Sequence, residues 1–70
     1  MKNIHMEVFD SKNTMITQTI DYLKSTKQYI KWAKELSLKE KVYKVVIYKN
    51  NTWNEYTKGK LVSWSYPNGI

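Results

Sequence analysis

The chain has few of the residue types from which catalytic and metal sites are built. It has no cysteine, which excludes disulfide bridges and thiolate chemistry. His5 is its only histidine, so a structural zinc site would lack its usual ligands. Two glycines in all leave no glycine-rich loop that could cradle a phosphate group. The sequence therefore predicts no cofactor and no metal.

A catalytic arrangement is also missing from the sequence. His5, Asp10 and Ser11 are close along the chain, but no pattern orders them into a nucleophile, a base and an orienting group. Glu7 and Asp10 are the clustered carboxylates, and a surface turn is enough to explain them. We therefore expect a protein that is not an enzyme and has no small-molecule substrate.

Long apolar runs are absent as well. No stretch approaches the roughly 20 apolar residues that span a bilayer, so no membrane association is expected. The first ten residues are interrupted by His5, Glu7 and Asp10, which is not the pattern of a signal peptide. These features predict a cytoplasmic protein.

Arginine is missing too, and the net charge of +6 comes from 12 basic residues that are all lysine. Arginine is the usual choice for bidentate contacts with phosphates and base edges, so its absence argues against sequence-specific DNA recognition. The chain is also rich in Asn, Ile and Tyr, a composition typical of A/T-rich coding. The positive charge thus has two interpretations, a functional one and a compositional one.

Hydrophobic periodicity predicts one helix and several strands. Alternation of apolar and polar residues near the N-terminus indicates a strand over residues 3–9. A broad apolar arc at 100° per residue indicates a helix from about 14 to 36. Three β-branched and aromatic segments then predict strands over 42–49, 52–57 and 60–66.

These elements predict a single α+β domain over residues 1–70 with the order β-α-β-β-β. One long helix packs on one face of a small three- to four-stranded, mostly antiparallel sheet. The helical crossover makes the first strand parallel to the second. Whether the first strand lies beside the second or the fourth stays open, and so does the face that the helix covers.

The predicted sheet carries a row of aromatic residues. If Asn50-Asn51 and Lys58-Gly59 are two-residue turns, Tyr48 lies opposite Trp53, and Trp53 lies opposite Trp64. Tyr66 would extend this row. We therefore predict Tyr48, Trp53, Trp64 and Tyr66 as partner-binding residues.

The opposite face of the same strands is also apolar, and a single helix can cover only one face. Its residues are Tyr43, Val45, Ile47, Tyr56 and Leu61. The alternative is that the aromatic row itself is the helix-covered core. A register slip of one residue would exchange the two faces and dissolve the row.

The predicted helix carries a stripe of lysines. Lys24, Lys27, Lys31 and Lys34 recur at i, i+3, i+7 and i+10, which places them on one strip of the helix. Such a strip could contact an anionic partner, either phosphates or an acidic protein face. The alternative is an ordinary solvated helix face, as amphipathic helices normally have.

Together these features predict a non-enzymatic protein- or nucleoprotein-binding module. Aromatic residues dominate interface hot spots, and the partner could be another protein or a second copy of the chain. Small size and A/T-rich composition fit a phage or mobile-element accessory protein that acts as a stoichiometric inhibitor of host machinery. The alternative is a single-stranded nucleic-acid-binding protein with stacked Trp and Tyr and lysine–phosphate contacts. That alternative requires lysines and aromatics on one face, whereas the stripe lies on the helix.

Overall fold

The fold is a five-stranded antiparallel sheet with one helix packed against one of its faces. The computed structural model describes residues 4–20, 25–49 and 51–65. The strands follow the order β2-β1-β3-β4-β5 across the sheet, and each neighbouring pair is antiparallel. The elements are β1 (Ile4–Phe9), β2 (Met15–Ile20), α1 (Thr26–Leu36), β3 (Lys44–Lys49), β4 (Thr52–Thr57) and β5 (Lys60–Trp64). The α+β class and the antiparallel sheet are thus confirmed, with more strands than the three or four predicted.

The strand β2 replaces the first part of the predicted long helix. Residues 15–20 pair with β1, and the helix begins only at Thr26. The four-residue spacing of Ile16 and Ile20 fits a helix, but four of the six residues in this segment are β-branched. Such side chains are restricted in a helix and favoured in a strand. Pairing along the edge of β1 therefore outweighs the helical spacing.

A tight turn at Asp10 joins β1 to β2. One carboxylate oxygen of Asp10 accepts hydrogen bonds from the backbone N–H groups of Lys12 at 2.9 Å and Thr14 at 3.0 Å. Asn13 adopts a positive φ of 62°, a conformation that asparagine tolerates better than most residues. The sequence predicts a turn before a helix at these residues, whereas in the structure they close a hairpin.

This hairpin also changes the direction of the strands. β1 lies between β2 and β3 and is antiparallel to both, so the predicted parallel orientation of the strands over 3–9 and 42–49 is wrong. The chain reverses once at the hairpin before it enters the helix. The crossover through α1 therefore connects β2 with β3, which run parallel to each other on either side of β1.

The helix is fixed at both ends by serine side chains. Ser25 forms a capping box, in which its hydroxyl accepts from the Gln28 backbone N–H while the Gln28 side chain accepts from the Ser25 N–H. At the other end the buried Ser37 hydroxyl donates to the Lys34 carbonyl at 2.8 Å and accepts from the Gly59 N–H at 2.7 Å. The second contact ties the helix end to the β4–β5 turn. Among the described residues no helix is long and apolar enough to cross a membrane.

The core lies between α1 and one face of β1, β3 and β4. Its members are Ile4, Met6, Val8, Tyr29, Ala33, Val45, Ile47 and Tyr56. Three of the five residues on the apolar face opposite the predicted aromatic row, Val45, Ile47 and Tyr56, are therefore buried. The other two, Tyr43 and Leu61, are 55% and 41% exposed. Ile16 and Ile20, which belong to the apolar arc of the predicted helix over 14–36, lie instead on the edge strand β2 and are also exposed.

Candidate binding site: the uncovered face of the sheet

The sheet face that α1 leaves uncovered, which we call the open face, consists of the residues that alternate with the core. In β1, β3 and β4 these are His5, Glu7, Phe9, Lys44, Val46, Tyr48, Trp53 and Glu55. Val46 lies at the centre of this face and is only 6% exposed. Its neighbours on the same face shield it, because the helix packs on the other side of the sheet. The open face is therefore a partly buried surface with an apolar floor.

An aromatic row crosses the open face at the level of Tyr48. Tyr48 is paired with Trp53 on one side, as predicted, and with His5 on the other. The His5 imidazole stacks on the Tyr48 ring with 4.6 Å between ring centroids and an interplanar angle of 14°. His5 is a member of this row that the sequence pattern alone does not indicate. Its alternation with Ile4 and Met6 gives its face, but only the pairing of β1 with β3 reveals its neighbour.

Trp64 does not belong to this row, contrary to the prediction. It pairs with Asn54, which lies on the face where the helix packs, and it is 50% exposed at the edge of the sheet. The turn at Lys58 and Gly59 forms as predicted, with φ values of 52° and 81°. Past the turn, however, the register of β5 shifts and leaves Val62 as an extra residue. This bulge carries Trp64 to the other face.

Ser65 occupies the place beside Trp53 that was predicted for Trp64. The Ser65 backbone N–H donates to the Trp53 carbonyl at 3.0 Å, and the Trp53 N–H donates to the Ser65 hydroxyl at 3.0 Å. The row thus consists of His5, Tyr48 and Trp53. Tyr66, the fourth predicted member, lies outside the described residues.

Two carboxylates flank the centre of the open face. Glu7 and Glu55 are both paired with Val46, one from each neighbouring strand. Glu7 lies 3.4 Å from the His5 Nε2 atom and accepts a hydrogen bond from the Tyr48 hydroxyl. Glu55 has neither a hydrogen bond nor an ion pair with any residue that the structure describes. Among the described residues, Glu7 is therefore engaged by polar neighbours and Glu55 is not.

The surroundings of Tyr48 keep its hydroxyl protonated. Burial raises the pKa of Tyr48, and the charge of Glu7, the hydrogen bond to Glu7 and the charge of Glu55 raise it further. All of these influences oppose a negative charge on the phenol oxygen. At neutral pH Tyr48 is therefore a hydrogen-bond donor within a region of negative potential.

A shallow cavity of about 180 Å³ opens between the aromatic row and Phe9. It is lined by Phe9, Lys44, Val46, Tyr48, Trp53 and Glu55. The Lys44 ammonium group lies over the Phe9 ring, 5.0 Å from its centroid. The cavity thus has a cation at its Phe9 end and a carboxylate beside the ring of Trp53.

The predicted lysine stripe lies on the opposite side of the molecule. Lys27, Lys31 and Lys34 are all exposed on α1, whose Tyr29 and Ala33 face the sheet. Lys24, the fourth predicted member, lies outside the described residues. The structure thus brings Tyr48 and Trp53 together and separates them from the stripe by the thickness of the helix and the sheet.

Comparisons of the chain with models of protein families, with curated proteins and with solved structures found no match.

Proposed function

We propose that the chain is a non-enzymatic protein-binding module and that the open face is its contact surface. The observation that carries this proposal is that α1 packs on one face of the five-stranded sheet, while no second helix among the described residues packs on the other face. The other face presents Tyr48 and Trp53 around the apolar floor at Val46. Tyr48 and Trp53 are only partly buried, and a partner protein that covers this face would complete their burial.

The residues of the open face suit protein recognition. Tyr and Trp are enriched at interface hot spots because they combine a large apolar area with a polar tip. The backbone of Trp53 is held in place by two hydrogen bonds with Ser65, and Tyr48 is held between His5 and Glu7. Such pre-positioned side chains lose little freedom on binding, which favours affinity.

We further propose that binding is stoichiometric and inhibitory. A surface that covers part of a larger protein can block its function without any chemistry. The small size and the A/T-rich type of composition motivate the proposal that the chain comes from a phage or mobile element and acts on host machinery.

The lysine stripe favours a nucleoprotein, rather than a protein alone, as the target of the module. Lys27, Lys31 and Lys34 project from α1 on the side away from the open face. One side of the molecule could then contact phosphates while the other contacts protein. The separation disfavours the simpler nucleic-acid alternative, in which single-stranded bases stack on the aromatic row. Glu7 and Glu55 beside that row would repel a phosphate backbone.

The experiment that tests the proposed function compares Trp53→Ala with Trp64→Ala. Both variants lose an indole from neighbouring strands, but only Trp53 lies on the open face. Tagged copies are expressed in cells of the source organism or its host, and co-purified proteins are quantified by mass spectrometry. An anchoring Trp is worth about 2 kcal/mol or more, which corresponds to roughly 30-fold in affinity. We expect Trp53→Ala to lose the partner and Trp64→Ala to retain it. Equal recovery of the partner by both folded variants would contradict the proposal.

A further inference from the structure

Two of the six acidic residues of this basic chain lie on the proposed contact surface. The chain has 12 basic and 6 acidic residues, yet Glu7 and Glu55 both lie on the open face. They flank Val46 from adjacent strands, which places their backbones about 10 Å apart at roughly 4.8 Å per strand. A partner that covers this face must therefore accommodate two carboxylates.

Within the part of the chain that the structure describes, Glu55 is the open-face carboxylate whose negative charge is not paired. It is partly buried and has no hydrogen bond or ion pair with any described residue, whereas Glu7 is engaged by His5 and Tyr48. Covering Glu55 with an apolar partner surface would remove its remaining water at a high free-energy cost. A cationic group from the partner would instead supply charge-assisted hydrogen bonds.

The cavity beside Glu55 is built for a flat cation. The rings of Tyr48 and Trp53 line it, and indole is the best of the aromatic faces for binding a cation. A guanidinium group is planar, stacks on aromatic rings and binds a carboxylate through two parallel hydrogen bonds. The volume of about 180 Å³ is enough for the head group of one long side chain.

Lys44 shows that the same cavity already holds a cation against an aromatic ring. Its ammonium group lies over Phe9, at the end away from Trp53. Lys44 would repel an incoming arginine and Glu55 would attract it. Lys44 would attract an incoming acidic side chain and Glu55 would repel it. Substitutions at these two positions therefore distinguish the two kinds of ligand by the sign of their effects.

We propose that this cavity receives an arginine side chain of the partner protein, with the guanidinium group stacked on Trp53 and paired with Glu55. The inference rests on the proposed function, because it names the partner chemistry that the open face recognises. It predicts that the covered segment of the partner is basic although the chain itself carries a net charge of +6.

The test is a titration of the ¹⁵N-labelled protein with N-acetyl-arginine amide, followed through the indole N–H signals. The three tryptophans provide internal controls, since Trp32 is on α1 and Trp64 is on the other face of the sheet. N-acetyl-citrulline amide has nearly the same shape without the charge and serves as the matched ligand. We expect a saturable shift of the Trp53 signal with the arginine compound and little shift with the citrulline compound.

Two variants complete the test. Glu55→Gln should weaken arginine binding at least fivefold, and Lys44→Met should strengthen it, with both variants checked for folding by their amide spectra. The absence of a Trp53 shift, equal shifts with citrulline, or no effect of Glu55→Gln would overturn the inference. Tighter binding of N-acetyl-aspartate amide than of N-acetyl-arginine amide by the unsubstituted protein would also overturn it, because the cavity would then be a receptor for anions.

The outcomes separate this inference from the proposed function. If Trp53→Ala loses the co-purified partner while Glu55→Gln keeps it, the open face remains the contact surface and the arginine proposal fails. If arginine binds at Trp53 but Trp53→Ala still recovers its partner in full, the cavity is an arginine receptor and the proposed function fails.

Discussion

Tyr48 is the residue whose chemistry reports most directly on the open face. Burial and the neighbouring carboxylates raise its pKa above the ordinary value of 10.0. The folded state holds the phenol proton more tightly than the unfolded state does, and this difference in proton affinity stabilises the folded state. The stabilisation is fully present below about pH 10. It is lost as the pH rises through the folded-state pKa of Tyr48.

We expect Glu7→Gln to lower the pKa of Tyr48, because the substitution removes the nearby negative charge and replaces the carboxylate that accepts from the hydroxyl. Burial persists in this variant, so part of the increase should remain. Absorbance at 295 nm during alkaline titration measures the change, with Tyr48→Phe identifying the transition that belongs to Tyr48. Glu55→Gln should have a smaller effect, since Glu55 acts through its charge alone. A Tyr48 transition that does not move in Glu7→Gln would contradict the described hydrogen bond.

At the scale of elements, the sequence predicts a strand well where composition and turn chemistry agree. The strands β3 and β4 combine β-branched and aromatic residues around Asn51, and β4 has the predicted bounds. The sequence does not predict β2, because the spacing of Ile16 and Ile20 satisfies both a helix and a strand. The β-branched residues of this segment favour a strand, but the strand forms only with β1 as its pairing edge, and that is a tertiary effect.

The candidate site could be predicted only in part for the same reason. The pairing of Tyr48 with Trp53 follows from the first hairpin turn, which the sequence indicates. The position of Trp64 depends on the bulge at Val62, and no turn residue signals a bulge within a strand. His5 joins the row through a contact between strands that are far apart in sequence. Local sequence patterns therefore predict the pairing of Tyr48 with Trp53. They do not predict the bulge that moves Trp64 or the pairing of β1 with β3 that adds His5.

The helix α1 depends on its N-terminal cap, because it is only 11 residues long. We expect Ser25→Ala to lower the free energy of unfolding by about 1 kcal/mol, since the substitution disrupts the capping box. Lys31→Ala, an exposed substitution within the same helix, should change stability by less than about 0.5 kcal/mol. Urea unfolding followed by circular dichroism measures both, and equal midpoints for the two variants would argue against the cap.

The lysine stripe makes a separate prediction about binding. Replacing Lys27, Lys31 and Lys34 with Gln should leave the fold intact, because all three side chains are exposed. If the target is a nucleoprotein, affinity should fall and its salt dependence should flatten by about 0.9 in slope for each phosphate that is no longer neutralised. Binding isotherms at several salt concentrations measure this. Unchanged affinity and slope would identify the stripe as a solvated helix face.

For the molecule as a whole, one small core supports a sheet of five strands. A domain of this size buries only about 60% of the surface of its unfolded chain, so each core residue has a large share in stability. We expect Ile47→Ala to cost about 2–5 kcal/mol, because Ile47 is fully buried between β1, β4 and the helix layer. Val62→Ala on the exposed bulge should cost far less. Melting temperatures of the two variants that agree within a degree or two would contradict the assignment of Ile47 to the core.

The measurement that tests the central claim most directly is site-specific photocrosslinking in cells. A benzophenone amino acid at Ser63 lies on the open face beside Glu55 and leaves the aromatic row intact. The same amino acid at Lys31 lies on the exposed side of the helix. We expect position 63 to give a covalent adduct with a single protein, and we expect this adduct to disappear when Trp53 is replaced by Ala. A protein adduct from position 31 with none from position 63 would show that the open face is not the contact surface.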